Sequence, residues 1–186
     1  TKAHQKAREL GMEDSHFSNP SGLDAENHCS SAYDMALLAR ACLENKTLAA
    51  MVSTRSITFG TRTFTNHNKL LWRYEGCVGM KTGYTEAAGR TLVSAAERDG
   101  MTLICVTLGD PNDWADHAAL FDYGFASYRR EEAAQAGETL CRLPVQNSLL
   151  PFCPVTAEED VGLCLAPEEE AVFQLELDLT SLTAPV

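Results

Sequence analysis

The sequence predicts an α+β fold followed by a small all-β module, and three observations carry that expectation. Apolar residues recur at helical spacing over 32–43 and 113–128. Between these stretches lie runs of strand pattern, including two joined by Asp99-Gly100, a strong hairpin signal. Strands segregated from helices argue for α+β. The charge also breaks near residue 130. Residues 1–130 carry 14 basic and 15 acidic side chains, net −1, whereas 131–186 carry Arg142 alone against 11 acidic ones, net −10. That break predicts a boundary between a domain at 1–130 and a second, β-rich one at 131–186, itself open to being incomplete.

The elements follow in order. Lys2 to Leu10 is helix-like and stops at Gly11, a good C-cap. Residues 12–30 hold Asn19-Pro20-Ser21-Gly22 and little periodicity, so they form a structured loop. Ser31-x-x-Asp34 resembles a capping box and opens a helix over Ala32–Leu43. A short second helix follows at 47–52. Ser56 to Thr65 is a hairpin turning at Gly60. Asn66 to Trp72 reads as a loop and one helical turn, and 78–83 as a strand. Arg90–Arg98 and Met101–Leu108 are the paired strands around Asp99-Gly100; the second is almost wholly apolar, as a strand covered on both faces would be. Asn112 caps a long helix from Asp113 to Tyr128 that turns Ala115, Ala118, Leu120, Phe121, Phe125 and Tyr128 inward. In the tail, Phe173, Leu175, Leu177 and Leu179 alternate with polar residues, the pattern of a half-buried strand.

Composition excludes several classes. Of 186 residues 45% are apolar and 22% charged, which is ordinary globular usage. A net charge of −11 repels a phosphate backbone, so no nucleic-acid partner is expected. No run approaches the roughly 18–20 apolar residues of a membrane-spanning helix. The chain starts at Thr1 with no basic-then-apolar leader, so a signal peptide is expected to be absent or already removed. The seven cysteines (29, 42, 77, 105, 141, 153 and 164) form no C-x-x-C and no zinc spacing with histidine, so neither metal nor cofactor is expected. Cys42 and Cys105 read as small core hydrophobes, while Cys141, Cys153 and Cys164 leave a tail disulfide open. The acidic tail reads first as a solvated surface, with a metal or basic partner as the rival.

Chemistry concentrates at Lys81-Thr82-Gly83. Lys81 supplies a fixed positive charge, Thr82 a hydroxyl for a substrate carboxylate, and Gly83 a strand edge bare of side chain. Alone, the tripeptide is no more than a strand end before a turn. Its surroundings extend the pattern. Leu10-Gly11-Met12, His16-Phe17-x-Asn19-Pro20-x-Gly22-Leu23 and His28-x-Ser30-Ser31-Ala32-x-Asp34-Met35-Ala36 precede it. Asn66-x-Asn68-x-Leu70-Leu71, Gly79-x-Lys81-Thr82-Gly83-Tyr84-Thr85, Ala88-Gly89-x-x-Leu92-Val93 and Asp122-Tyr123-Gly124-Phe125 complete it. Over Leu10–Tyr128 the chain thereby resembles the low-molecular-weight penicillin-binding proteins, the D-alanyl-D-alanine carboxypeptidases of peptidase family S11.

The resemblance implies part of a β-lactamase/transpeptidase-like domain, an antiparallel sheet flanked by helices, with the acidic tail matching the family's small C-terminal β domain. It implies a serine-type hydrolase that trims the terminal D-Ala from peptidoglycan stem peptides through an acyl-enzyme, outside the cytoplasm and membrane-associated in the full protein. β-Lactam antibiotics would be its inhibitors. Lys81, Thr82, Gly83 and Thr85 would bind substrate, and the Tyr84 N–H would be half of the oxyanion hole. The family's Ser-x-x-Lys and Ser-x-Asn motifs occur at none of the chain's serines. The nucleophile and base are therefore expected upstream, in the remaining N-terminal part of the enzyme, and the chain alone is expected to be inactive. The family's downstream Arg is also missing from 110–116, which leaves carboxylate binding to Lys81, Thr82 and Thr85. His28 and His67 read as bonding loop backbone, His117 as a surface residue, Trp114 as packing, Asp113 and Asp116 as charges on a helix N-terminus, and Ser30 and Ser31 as caps. The rival readings are a non-catalytic peptidoglycan-binding or scaffolding module on the same fold, and a β-lactamase relative.

Overall fold

Helices flank a short antiparallel sheet in the first of two units, Thr1–Ala126 and Ser127–Val186, into which the chain divides. The structure is a computed structural model that describes residues 2–178 and 182–183. Helix α1 (Lys2–Glu9) ends before Gly11, whose φ of 75° gives the left-handed turn a glycine takes without strain. The loop that follows is pinned by a bridge between His16 and Cys29 and by the buried Asp34 carboxylate, which accepts from the Asp14 N–H and the Ser15 hydroxyl. Ser31 caps α2 (Ala32–Glu44), its Oγ accepting from the Asp34 N–H at 3.2 Å. Asn45 separates α2 from α3 (Lys46–Ser53) and caps the latter through the Thr47 and Leu48 amides. A hairpin of β1 (Ser56–Phe59) and β2 (Arg62–Thr65), then α4 (Leu70–Arg73), lead to the sheet.

The sheet is built on β5 (Gly89–Arg98). β6 (Met101–Leu108) covers one edge of β5; β3 (Cys77–Gly79) and β4 (Thr82–Thr85) share the other. The expected single strand at 78–83 is thus broken. Gly79 and Met80 take φ of 108° and 92°, and pairing resumes at Lys81, which exchanges two backbone hydrogen bonds with Val93 at 3.0 and 2.9 Å. The break has a packing cause: a Cβ on Gly79 would overlap the Val52 carbonyl of α3, so helix and strand meet backbone to backbone.

Both faces of the sheet are covered. Leu92, Ala96 and Cys105 pack with Leu70 and with Phe121 of α5 (Asp113–Ser127); Val93 and Ala95 pack with Ala39 of α2 and Met80. The two-sided apolar pattern of 103–106 follows from this sandwich. Helix α5 approaches β6 so closely that a Cβ on Gly124 would lie 2.5 Å from Leu103 Cδ1. Its phase differs from the expected one. The buried positions are Asp113, His117, Phe121 and Gly124, while Ala115, Leu120 and Tyr128 are exposed. His117, expected at the surface, is fully buried. Asn112 does not cap the helix with its side chain but donates to Asp116 Oδ1 at 2.8 Å.

The second unit is made of strands: β7 (Arg129–Ala134) pairs antiparallel with β10 (Val161–Leu165). β8 (Thr139–Gln146) pairs antiparallel with β9 (Phe152–Thr156) and parallel with β11 (Leu182–Thr183). The strand expected at 173–179 does not form over 173–177. No described strand pairs with it, and Phe173, Leu175 and Leu177 are exposed; Leu179 lies outside the described residues. All seven cysteines are unpaired, those of the tail included.

Candidate active site

A cleft of about 820 Å³ opens along β4, lined by Lys81, Thr82, Gly83, Tyr84 and Thr85. Two asparagines set the strand's position. Asn66 Nδ2 donates to the Val52 and Thr54 carbonyls at the end of α3, at 3.3 and 3.0 Å. Asn68 is fully buried; its Nδ2 donates to the Gly79 carbonyl at 2.8 Å and its Oδ1 accepts from the Leu70 N–H at 3.1 Å. The Asn66-x-Asn68 pair thus clamps the strand break just before Lys81. The two Asn68 bonds are buried, so without them the Gly79 carbonyl and the Leu70 amide would stay desolvated and unpaired.

The register determines what β4 offers. Lys81 turns its backbone N–H and C=O toward β5, so alternation turns those of Thr82 and Tyr84 outward. Among the described residues β4 pairs only with β5, which leaves that row at an open edge. The Lys81 ammonium folds over to the Thr82 carbonyl at this edge. Gly83 is bare for a cross-strand reason: a Cβ there would overlap Oγ1 of Thr91, its directly opposed partner. Thr85 is committed locally, donating to Asp24 Oδ1 at 2.8 Å and accepting from the Ala88 N–H at 3.0 Å. The first of these bonds ties the 19–24 loop to the strand. That loop is wound around Asn19, whose Oδ1 accepts from the Ser21 and Gly22 amides. Ser21, Gly22 and Leu23 also line the cleft.

The remaining wall comes from β5 and α5. Arg90 forms a two-pronged ion pair with Asp113, Nη2 to Oδ1 at 2.7 Å and Nε to Oδ2 at 3.1 Å. Its guanidinium carbon lies 5.6 Å from the centroid of Trp114. Trp114 therefore packs against the core, as its sequence position suggested, and also lines the cleft. Asp113 serves this pair more than a helix terminus, although its Oδ1 also accepts from the Trp114 N–H. One turn further along α5, His117 is bonded through Nδ1 to the Ser94 hydroxyl and through Nε2 to Thr107 Oγ1 at 3.1 Å. Burial pushes its pKa down to about 4, so it is neutral near pH 7. His28 Nδ1 accepts from the Ser18 N–H at 3.2 Å, a loop-backbone role, while His67 lies exposed at the cleft.

Sequence reasoning missed Arg90, Asp113 as its partner, and the clamp made by Asn68. The available signal was the charged residue opening an otherwise apolar strand two positions before Leu92. Among the described residues no cluster of His, Cys, Asp or Glu could hold a metal ion, and no helix is long and apolar enough to cross a membrane.

Comparison with known proteins places this geometry in context. Residues 1–112 match the family model for peptidase S11, D-alanyl-D-alanine carboxypeptidase. The chain is 30% identical over 177 residues to the D-alanyl-D-alanine carboxypeptidase DacF of Bacillus subtilis, covering 91% of this chain and 46% of that protein. It is 38% identical over 137 residues to DacB2 of Mycobacterium tuberculosis, covering 67% of this chain and 47% of that protein. Penicillin binding protein 5 of Haemophilus influenzae superposes with a TM-score of 0.70 at 27% identity, covering 99% of this chain and 56% of that one. The chain thus spans about half the length of the relatives it matches.

Proposed function

The chain belongs to the D-alanyl-D-alanine carboxypeptidase family, and from that premise we propose that it carries the substrate-docking strand of a serine-type enzyme that removes D-Ala from peptidoglycan stem peptides. One observation carries the reading: the open edge of β4, with Lys81, Thr82 and Gly83 along it, faces a cleft able to hold an extended peptide. A peptide would add to this edge as an extra strand, its backbone paired to the outward groups of Thr82 and Tyr84. The Tyr84 N–H is then a preorganised donor for the oxyanion that develops when the penultimate carbonyl is attacked. Lys81 places a positive charge beside the reacting region.

None of the serines begins Ser-x-x-Lys or Ser-x-Asn, so we assign the nucleophile and base to residues outside these 186. The acyl-enzyme would form there, releasing D-Ala, and water would then hydrolyse it. β-Lactams would enter the same cleft and acylate the same serine, in a protein acting outside the cytoplasm. The test is the full-length protein, assayed for D-Ala release from a peptide ending in D-Ala-D-Ala and for covalent labelling by a fluorescent penicillin. Release and labelling are expected there, with neither from the 186-residue chain alone. A full-length protein that binds the peptide but neither releases D-Ala nor takes the label would overturn the reading in favour of a wall-binding module.

A further inference from the structure

The 16–28 loop lines the cleft through Ser21, Gly22 and Leu23, and among the described residues three histidines bond its backbone. His16 Nδ1 donates to the Asn27 carbonyl at 2.7 Å. The other two rings accept. His4 Nε2, on α1, accepts from the Phe17 N–H at 3.3 Å, and His28 Nδ1 accepts from the Ser18 N–H at 3.2 Å. The difference matters chemically. A protonated imidazole carries N–H on both ring nitrogens, so it can still donate but can no longer accept. Acid therefore spares the His16 bond and turns the other two into opposed N–H pairs, on consecutive residues of one loop.

We propose that His4 and His28 form an acid-released latch: with both rings neutral they hold the 16–28 loop to α1 and to itself, and protonation frees it, loosening that side of the cleft. The two bonds act on different contacts. His4 joins the loop to a separate element, whereas His28 joins Ser18 to the far end of the same loop. Bonds that do not titrate keep the loop folded. His16 and Cys29 exchange two backbone bonds at 2.8 and 3.0 Å, and the Ser18 hydroxyl donates to the Glu26 carbonyl at 2.8 Å. The released loop thus moves as a folded piece, and its Asp24, which accepts from Thr85, passes the change to β4. The surrounding charges favour release. The His4 and His16 rings lie 4.7 Å apart, so two imidazolium charges there repel. Arg8 of α1 lines the same pocket. The carboxylates there are Glu9 of α1, already bonded to Gln5 and Lys6, and Glu13 at the start of the loop. His28 packs edge-on to the Phe17 ring, and the titratable groups lining its pocket are the Cys29 thiol and the Lys81 ammonium. Partial burial, then His16 and Arg8, hold the His4 pKa below 6.5. The His4 bond is accordingly complete above pH 6.5 and is lost as pH falls below it.

The experiment is amide hydrogen exchange of the full-length protein, read as protection relative to the intrinsic rate at about pH 7.5 and 5.0. The wild type is expected to lose protection about fivefold or more across 16–28 on acidification, and little across β5 and β6. His4→Gln and His28→Asn each put an amide oxygen where the accepting ring nitrogen stands, and an amide does not titrate. Each should remove part of the loss, and the double variant most of it. His4→Leu, with no acceptor, should lose part of the protection already at about pH 7.5. A wild-type segment that keeps its protection in acid, or a double variant that loses as much as the wild type, overturns the latch. So does a loss shared equally by β5 and β6, which marks general unfolding. The link to the cleft is read from KM of a peptide ending in D-Ala-D-Ala. Its rise on acidification should be smaller in the double variant, with kcat following one pH profile in both proteins. Equal KM profiles overturn that link. A full-length protein that turns over no peptide overturns the carboxypeptidase reading alone, because the exchange data still decide the latch.

Discussion

A methyl group on Gly83 would overlap the Thr91 hydroxyl, and one on Gly79 would overlap the Val52 carbonyl; the two glycines answer to different physics. At Gly83 the obstacle is a side chain that can be removed, and the backbone there has no left-handed φ to satisfy. At Gly79 it is helix backbone, and φ is 108° as well. Gly83→Ala should therefore cost about 1–3 kcal/mol, the usual scale of overpacking, and Thr91→Ala should restore most of it. Gly79→Ala should cost more and have no single compensating partner, since both strain and overlap persist. Urea midpoints of the two single variants and of the Gly83→Ala/Thr91→Ala pair decide the matter. Equal losses at both glycines, or no rescue by Thr91→Ala, would contradict the account. The bareness of β4 at Gly83 is thus imposed by its neighbour in the sheet.

At the level of elements, α5 is seated by polar residues as much as by apolar ones. Asp113 holds Arg90 of β5, and His117 bonds Ser94 of β5 and Thr107 of β6, on the same helix face as Phe121. Burial lowers the His117 pKa from 6.5 to about 4, so the folded protein resists a proton that the unfolded chain accepts. Stability from this contact is complete above pH 6.5 and is lost as pH falls from there toward 4. The expected result is a denaturation midpoint that drops from pH 7 to pH 4.5, and drops less in His117→Gln; parallel pH profiles would contradict it. The same contacts explain what the sequence did not disclose. A reading by hydrophobic periodicity placed Leu120 inside and His117 outside, because it weighs apolarity and cannot see hydroxyls waiting on two strands. The hairpin at Asp99-Gly100 was legible, since both residues take the left-handed turn it signals (φ 50° and 72°). The Lys81-Thr82-Gly83 strand was legible through its motif. Arg90 was not, because only strand register and α5 join it to the cleft.

For the molecule as a whole, charge is the property that most separates the two units. Residues 1–126 carry 12 basic and 15 acidic side chains, net −3, whereas residues 127–186 carry Arg129, Arg130 and Arg142 against 11 acidic ones, net −8. The second unit is less than half as long as the first and bears most of the excess charge, so self-repulsion weighs more heavily on it. Its strands are short and few of its side chains are buried: Ala134, Leu143, Ala157 and Leu165 make up its described apolar core. A small core leaves a small margin, and the repulsive part of that margin is what salt removes, since at about 0.5 M the screening length falls to roughly 4 Å. Raising NaCl from about 0.02 to 0.5 M at pH 7 should then lift the melting temperature of the second unit by a few degrees, on the order of 2–5 °C, and that of the first unit by less. The two can be followed separately in one sample. Both tryptophans, Trp72 and Trp114, lie in the first unit, so tryptophan fluorescence follows that unit alone, while calorimetry records both. A fluorescence transition that moves with salt as far as any other in the calorimetric trace would show that the acidity of the tail is not a burden on its own stability.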